Sequence, residues 1–270
     1  MTSGADDADL ERRFGGLRRL YGPAAYARVR AARVAVVGLG GVGSWAVEAL
    51  ARSGVAALTL IDFDQVGESN INRQVQALGT TVGQGKALAL QARIADIHPG
   101  CKVQVVDAFV EEDNWPALLP EPVDVVIDAC DQVRAKATLA AWGLMADTAA
   151  VVCVGAAGGK QRPQQVEVAD LSEVSHDPLL AALRQRLRQK HGAARGAKRI
   201  GLCCVFSREA VQSAIGQQDA DGCDVAQADG TLNCHGYGST VTVTATFGMV
   251  AAQQALHFAF RGLDGSKTTL

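Results

Sequence analysis

Short apolar runs alternate with stretches of helical length through the first 155 residues or so of the chain. The runs have the length of strands and lie at residues 33–37, 57–62, 102–107, 123–128 and 150–155. Residues 84–97 and 135–145 lie between them and have the composition of helices. Strands that alternate with helices form parallel sheets covered on both faces. The pattern therefore predicts an α/β protein with a doubly wound, mostly parallel, Rossmann-like sheet.

The pattern changes beyond residue 160. A strand-like run at 164–168 precedes a helix from residue 179, and an apolar run at 239–260 follows. That last run approaches membrane-spanning length, but its alternate threonines and its Gln253, Gln254 and His257 favour a buried core or dimer helix, so no membrane insertion is expected. We predict a single domain over 1–270, with a nucleotide-binding half at 30–156. The half at 157–270 completes a mixed sheet and carries the substrate, RNA and dimer surfaces.

Composition narrows the class of protein. The 270 residues are 48% hydrophobic, which is ample for a core, and the net charge of −2 creates no global field for a polyanion. The seven cysteines are scattered without paired C-x-x-C spacing. This indicates a reduced, cytoplasmic protein without a structural zinc. The first fifteen residues lack an apolar segment, which argues against an ordinary secretory signal, and residues 11–22 read as basic and turn-rich.

A glycine-rich turn follows the first strand and leads into a helix. Glycines admit the backbone close to a phosphate, and free N–H groups at the helix start face such an anion. Asp62 lies some twenty residues further on, where a carboxylate accepts hydrogen bonds from ribose hydroxyls. The alternative is a tight turn without a ligand, and the motif suits NAD as well as ATP. The turn contains Gly38, Gly40, Gly41 and Gly43.

Two cations favour a triphosphate. Arg73 lies in the polar segment 62–74, and Lys86 lies in the first turn of the helix at 84–97, where a cation opposes the helix dipole. An anionic partner explains that lysine, and cations converging on a phosphate site suit ATP better than NAD. The alternative is two solvent-exposed cations.

Two aspartates lie around the end of the fourth strand. Asp128 ends the strand, and Asp131 is placed to cap the helix that follows. Asp131 is also suited to hold Mg²⁺ through its carboxylate and water, beside the phosphates.

A cationic segment without acidic residues follows residue 183. It is the surface expected for RNA, and the alternative is a solvated helix. Cys204 and Cys234 are interpreted as small apolar filler rather than catalysts. The RNA candidates are Arg184, Arg186, Arg188, Lys190, Arg195, Lys198 and Arg199.

Five motifs carry a family resemblance: the glycine turn, residues 62–64, residues 70–74, Lys86 and residues 128–131. Together they resemble the ubiquitin-activating-enzyme-like adenylating superfamily of ThiF, MoeB and HesA type. The resemblance implies that the glycines and Lys86 hold phosphates and that Asp62 binds the ribose. It also implies that Arg73 contacts the distal phosphates and that Asp131 holds the Mg²⁺. Their neighbours would be Asp64, Asn70 and Gln74. The paired C-x-x-C motifs of the sulfur-carrier activators are missing. Their N-terminal arginine finger has no direct match here, and Arg13 is the candidate substitute.

A second resemblance rests on four segments at 13–22, 176–187, 204–210 and 244–248. These segments span nearly the whole chain and are similar to the tRNA threonylcarbamoyladenosine dehydratases. The resemblance implies an ATP- and Mg²⁺-dependent cyclisation of the modified adenosine beside the anticodon. It also implies a homodimer and partner proteins of a cysteine-desulfurase system. Two alternatives remain: an adenylyltransferase acting on the C-terminus of a ubiquitin-like sulfur carrier, and a nucleotide-gated binding protein without turnover.

Overall fold

The computed structural model describes residues 9–196, 198–212 and 237–261, so Cys234 lies outside the described residues. The described strands form one sheet in the order β3-β2-β1-β4-β5-β7-β6, parallel except for the β6–β7 pair. This confirms the doubly wound, mostly parallel sheet with a C-terminal addition that makes it mixed. The strands are β1 (Arg33–Val37), β2 (Ala57–Ile61), β3 (Lys102–Val106), β4 (Val125–Asp128), β5 (Ala150–Val154), β6 (Val166–Asp170) and β7 (Cys203–Ser207).

Helices cover both faces of the sheet because each presents an apolar side to it. One core packs α3, α4 and α7 against the sheet, and the other packs α5 and α6. The described helices are α1 (Leu10–Tyr21), α2 (Pro23–Ala31), α3 (Gly43–Arg52), α4 (Lys86–Ile97), α5 (Val133–Gly143), α6 (Pro178–Lys190) and α7 (Val241–Arg261).

A buried carboxylate joins α3 to α4. Glu48 on α3 accepts hydrogen bonds from Arg93 Nε at 2.6 Å and from Arg52 Nε at 2.7 Å. Burial alone would raise the pKa of Glu48, but its two arginine partners outweigh burial and hold the pKa below its ordinary value. The ionised carboxylate therefore stabilises the contact between the two helices.

The strand order reverses between β1 and β4, and this reversal determines where a ligand can bind. β1 pairs with β2 on one side and with β4 on the other, with Val37 opposite Asp128. The loops that leave these strands diverge to opposite faces and open a crevice at the carboxyl edge, the usual ligand site of such sheets. The glycine turn and the 128–131 segment therefore meet at one edge.

The prediction of a turn-rich segment at 11–22 is wrong, because helix α1 spans it. The Asp9 carboxylate accepts a hydrogen bond from Arg12 N at 3.0 Å and so caps the helix. Phe14 is buried with its ring centroid 4.8 Å from that of His98. A capped first turn and a buried aromatic side chain offset the low helix propensity of Gly15 and Gly16 within the helix.

The apolar run at 239–260 forms α7, whose inner face lies in the core and confirms the core interpretation. It crosses α3 closely at Gly248, where a Cβ would lie 2.8 Å from Trp45 Cβ. Within the residues that the structure describes, no helix has both the length and the apolar character to cross a membrane.

Candidate nucleotide-binding site

A cavity of about 410 Å³ opens at the carboxyl edge of β1, β2 and β4. Its size is within the range of small-molecule sites. Nine of the ten residues predicted to bind the nucleotide line it, together with Asp131. The structure thus brings together, around one cavity, residues that lie up to 93 positions apart, from 38 to 131: Gly38, Gly40, Gly41, Asp62, Asp64, Asn70, Arg73, Gln74, Lys86 and Asp131.

Glycine is required at the positions of this turn for different structural reasons. Gly38 has a φ of 84°, and a Cβ there would lie 2.9 Å from the backbone of Ala129. Gly43 is not on the cavity wall, because its Cα packs directly against the carbonyl oxygen of Gly38. Gly40 lies on the wall, and a Cβ there would meet no protein atom within 4 Å. Protein packing thus explains Gly38 and Gly43, whereas Gly40 leaves space for a ligand.

Asp62 fixes the turn from the neighbouring strand. Its Oδ2 accepts a hydrogen bond from Leu39 N at 2.6 Å, and its Oδ1 accepts one from Asp64 N at 2.8 Å. Burial raises the pKa of Asp62 above its ordinary value, while nearby Lys86 opposes that rise. Each carboxylate oxygen has further acceptor capacity for a ribose hydroxyl.

Lys86 is buried at the start of α4 with an anionic partner. Its Nζ donates to Asp64 Oδ2 at 2.7 Å, and its side chain is only 8% exposed against 54% for Asp64. The backbone also joins the two residues, because Lys86 N donates to the Asp64 carbonyl oxygen at 3.0 Å. The interpretation of Lys86 as a solvent-exposed cation is therefore wrong. Its anionic partner in the structure is Asp64.

Arg73 reaches the glycine turn from a compact polar segment. Its guanidinium donates to Ser69 O at 2.8 Å, and its side chain lies against Gly41. Trp45 Nε1 donates to the Arg73 carbonyl oxygen at 3.0 Å, which fixes the backbone. Asn70 Oδ1 accepts from Gly67 N at 3.0 Å and shapes the single helical turn Glu68–Asn70. The segment therefore presents one cation on a fixed backbone.

Asp128 and Asp131 have different environments. Asp128 is fully buried, whereas Asp131 is exposed on the cavity wall. The prediction that Asp131 caps the next helix is wrong: Gln132 is the N-cap residue of α5, and no side chain caps it. The helix begins one residue too late for Asp131 to reach its first N–H groups. Asp131 therefore lines the cavity without capping the helix.

The partner of Asp128 is Lys136, which the sequence analysis missed. Lys136 Nζ lies 3.0 Å from Asp128 Oδ1, and both side chains are 0% exposed. Cys130 Sγ and Cys153 Sγ donate to the same carboxylate at 2.9 and 3.2 Å. Burial would lower the pKa of Lys136, but the Asp128 carboxylate outweighs it and keeps the pKa above its ordinary value. No helical period joins the two residues, because Asp128 ends β4 and Lys136 lies in the first turn of α5.

Further wall residues were also missed, among them Phe109 and Thr244. Thr244 belongs to α7 and lies against Gly41. Its segment, 244–248, was noted only for a resemblance. Cys204 is buried, and burial raises the pKa of its thiol, which agrees with an apolar filler role.

The cationic segment divides into two groups. Arg184 Nη1 donates to Leu171 O and Val174 O, both at 2.9 Å, and Arg188 donates to Ala194 O and Gly196 O. These two arginines support the protein's own loops, and Arg186 is partly buried. The remaining candidates are exposed: Lys190, Arg195, Lys198 and Arg199.

Comparison with known proteins agrees with the fold. The ThiF family model matches residues 14–268. The tRNA threonylcarbamoyladenosine dehydratase of Escherichia coli K12 is 45% identical over 249 residues, which cover 90% of this chain and 92% of that protein. The crystal structure of the E. coli enzyme in complex with ATP superposes with a TM-score of 0.82 at 41% identity, covering 94% of this chain and 96% of that one.

The chain therefore belongs to the ThiF family. Similarity to a sulfur-carrier activator is shorter. The molybdopterin-synthase adenylyltransferase of E. coli K12 is 39% identical over 104 residues, 38% of this chain and 41% of that protein. The dehydratase similarity thus covers 90% of the chain, whereas the adenylyltransferase similarity covers 38% of it.

Proposed function

We propose that this protein is an ATP-dependent tRNA threonylcarbamoyladenosine dehydratase. One observation carries the proposal: the glycine turn, Asp62, Arg73, Lys86 and Asp131 surround one cavity in a chain that matches such dehydratases over nearly its whole length. The first step joins a carboxylate oxygen of the modified adenosine to the α-phosphorus of ATP and breaks the bond to pyrophosphate. The ureido group then attacks the activated carbonyl carbon, loses a proton and expels AMP, so that the product has lost one water.

The residues of the cavity have distinct parts in the first step. The glycine turn brings backbone N–H groups to the phosphates at the start of α3. Arg73 and Lys86 neutralise charge that moves onto the departing pyrophosphate. Because Lys86 already pairs with Asp64, the phosphates must compete for an ammonium group that is held in position. Asp62 orients the ribose while it also fixes the turn.

The donor set fits Mg²⁺ bound mainly through phosphates. Within the described ranges no group of three His, Cys, Asp or Glu side chains could hold a metal ion. Asp131 is an exposed carboxylate on the cavity wall, and Mg²⁺ at nucleotide sites uses one or two carboxylates with phosphates and water. When bound, Mg²⁺ supplies charge neutralisation on the phosphates.

The exposed cations at the end of α6 would bind the RNA backbone. Leu179 at the start of α6 lines the cavity, whereas Lys190 ends the helix about 17 Å away along its axis. Phosphates bound there would anchor the tRNA while its modified nucleoside reaches the cavity.

Assembly and location belong to the same proposal: a cytoplasmic homodimer that works with a cysteine-desulfurase system. The position of Arg13 gives no support for a role at the chain's own cavity, because its guanidinium donates hydrogen bonds to Asp96 O and Ile97 O. Those carbonyls end α4, and Lys86 begins it. An arginine finger for a partner's site would require Arg13 to leave this contact.

The function is tested with purified protein, Mg·ATP and bulk tRNA that carries or lacks the threonylcarbamoyl group. We expect ATP-dependent loss of one water from the modified nucleoside, measured by mass analysis after digestion, with equal amounts of AMP and pyrophosphate. Lys86→Ala should abolish pyrophosphate release without unfolding the protein. Lys102→Ala, which removes an exposed lysine, is the matched control. Near-normal release by Lys86→Ala would remove Lys86 from the mechanism.

The same assay tests the alternatives. A sulfur-carrier adenylyltransferase would form AMP and pyrophosphate only when a small carrier protein is added. The shorter similarity to such enzymes and the exposed cations at and beyond the end of α6 argue against it. A binding protein without turnover would form neither product with either partner.

A further inference from the structure

Two aromatic side chains lie exposed side by side at the cavity mouth. Phe63 is 55% exposed and Phe109 is 47% exposed. Their ring centroids are 5.2 Å apart, and their planes are tilted by 45°. Large aromatic side chains normally gain stability by burial, so an exposed pair marks a surface that contacts something else.

The pair extends from the cavity to its outer rim. Phe63 follows β2 and Phe109 follows β3, and these strands are parallel with Ile61 opposite Val106. Phe109 lines the cavity, whereas Phe63 does not, although Asp62 and Asp64 on either side of it do. One ring thus belongs to the wall and the other continues outside it. A ligand on Phe63 would be a neighbour of the nucleotide in the cavity rather than part of it.

Both rings stand on fixed backbone. The hydrogen bond from Asp64 N to Asp62 Oδ1 at 2.8 Å closes a tight turn around Phe63. Asn114 holds the other loop, since its Nδ2 donates to Phe109 O at 2.9 Å and its Oδ1 accepts from Glu111 N at 2.8 Å. The aromatic surface therefore needs little ordering when a ligand binds.

The surrounding charge favours a base over a phosphate. Phe63 lies between Asp62 and Asp64. Lys86 pairs with Asp64 and balances only one of these two charges, so no net positive charge from these three residues would hold an RNA phosphate on the ring. Neutral aromatic faces bind bases by stacking, and this needs no particular sequence. The proposed reaction requires one nucleoside of the anticodon loop to enter the cavity, so adjacent nucleotides cross its rim, beside which Phe63 is exposed.

We propose that Phe63, supported by Phe109, stacks an unpaired base of the RNA substrate next to the modified adenosine; this rests on the proposed dehydratase function. Phe109 contacts the nucleotide space from its inner side and braces Phe63 from its outer side. The adenine of ATP is the competing occupant, and the experiment below separates the two.

The first test uses Phe63→Ala and measures KM for modified tRNA at saturating ATP and KM for ATP at saturating tRNA. We expect KM for tRNA to rise about tenfold, within the range of one lost base–aromatic stack, with KM for ATP unchanged. Phe63→Trp should retain tRNA affinity. Leu20→Ala removes another exposed apolar side chain, 71% exposed, and is the control for non-specific effects. A rise in KM for ATP alone, or in neither KM, would overturn the proposal.

The second test measures binding directly and does not depend on turnover. Two anticodon stem-loop RNAs carry an abasic nucleotide, one immediately 5′ and one immediately 3′ of the modified adenosine. One of them should bind the wild type about tenfold more weakly than the intact RNA, and Phe63→Ala should not weaken it further. If both losses are additive for each RNA, the base does not stack on Phe63. If the wild type does not dehydrate tRNA, the proposed function itself fails, and the direct binding result still decides whether Phe63 contacts a base.

Discussion

Replacing Lys136 by methionine tests whether the buried ion pair with Asp128 holds the cavity loop. Methionine keeps much of the length of the side chain but removes the ammonium group. Asp128, which is fully buried, would then keep only two thiol donors and the backbone N–H of Cys130. An uncompensated buried charge of this kind costs about 3–5 kcal/mol of unfolding free energy.

The expected signal is large enough for a thermal or urea unfolding experiment. A loss of about 3–5 kcal/mol corresponds to a fall in Tm of roughly 6–20 °C for a protein of this size. Arg134→Met is the matched control, because it removes an exposed cation from the same helix and should change stability by less than about 0.5 kcal/mol. The double variant Lys136→Met with Asp128→Leu removes both charges and should recover most of the loss.

The reasoning is refuted if Lys136→Met lies within about 1 kcal/mol of the wild type, since the Asp128 charge would then need no partner. It is also refuted if the double variant is no more stable than Lys136→Met. In that case loss of side-chain packing, rather than an unpaired charge, would account for the instability.

Three further predictions concern the turn, the core and the basic surface. Gly40→Ala should leave Tm unchanged, because its Cβ meets no protein atom, yet weaken ATP binding measured by calorimetry. Glu48→Gln should lower the unfolding free energy by roughly 1–3 kcal/mol at pH 7. The pKa of Glu48 is depressed, so its contribution is present above pH 4.5 and is lost as pH falls through the folded pKa; acid titration of unfolding should show a shallower loss in the variant. Lys190→Glu with Lys198→Glu should weaken tRNA binding at least tenfold and reduce its salt dependence by about two phosphate contacts, whereas Arg12→Glu should not.

The strands were predictable because each apolar run reports burial on both faces of a parallel sheet. The run at 33–37 agrees with β1 at both ends, and the run at 150–155 differs from β5 by one residue. The convergence of Arg73 and Lys86 on the cavity was also predictable, because the topology of the sheet and the charges of the two side chains indicate it. Helix α1 was not, because its stability comes from the Asp9 cap and the burial of Phe14 rather than from local propensity.

Pairing between side chains was the main part that the sequence could not specify. Lys86 suggested an anion, but the sequence could not indicate that Asp64 supplies it before any ligand binds. Arg184 and Arg188 belonged to a cationic run, yet backbone carbonyls of neighbouring loops occupy them. Such contacts depend on distances across the fold, and the pattern of residue types along a chain does not contain those distances.

The two aspartates of the 128–131 segment have different tasks: one holds the loop in place, and the other is available to contact a ligand. A carboxylate that must meet a ligand has to keep lone pairs available, whereas one that holds a loop should have them occupied. Asp128 is surrounded by Lys136, two thiols and a backbone N–H, so it has little remaining capacity and no access to the cavity. Asp131 lies three residues further along the chain, exposed on the wall. The rigid Asp128 therefore determines the position of Asp131. A variant at Lys136 that still folds should lose ATP affinity relative to the wild type, and this loss should be larger in the presence of Mg²⁺ than in its absence.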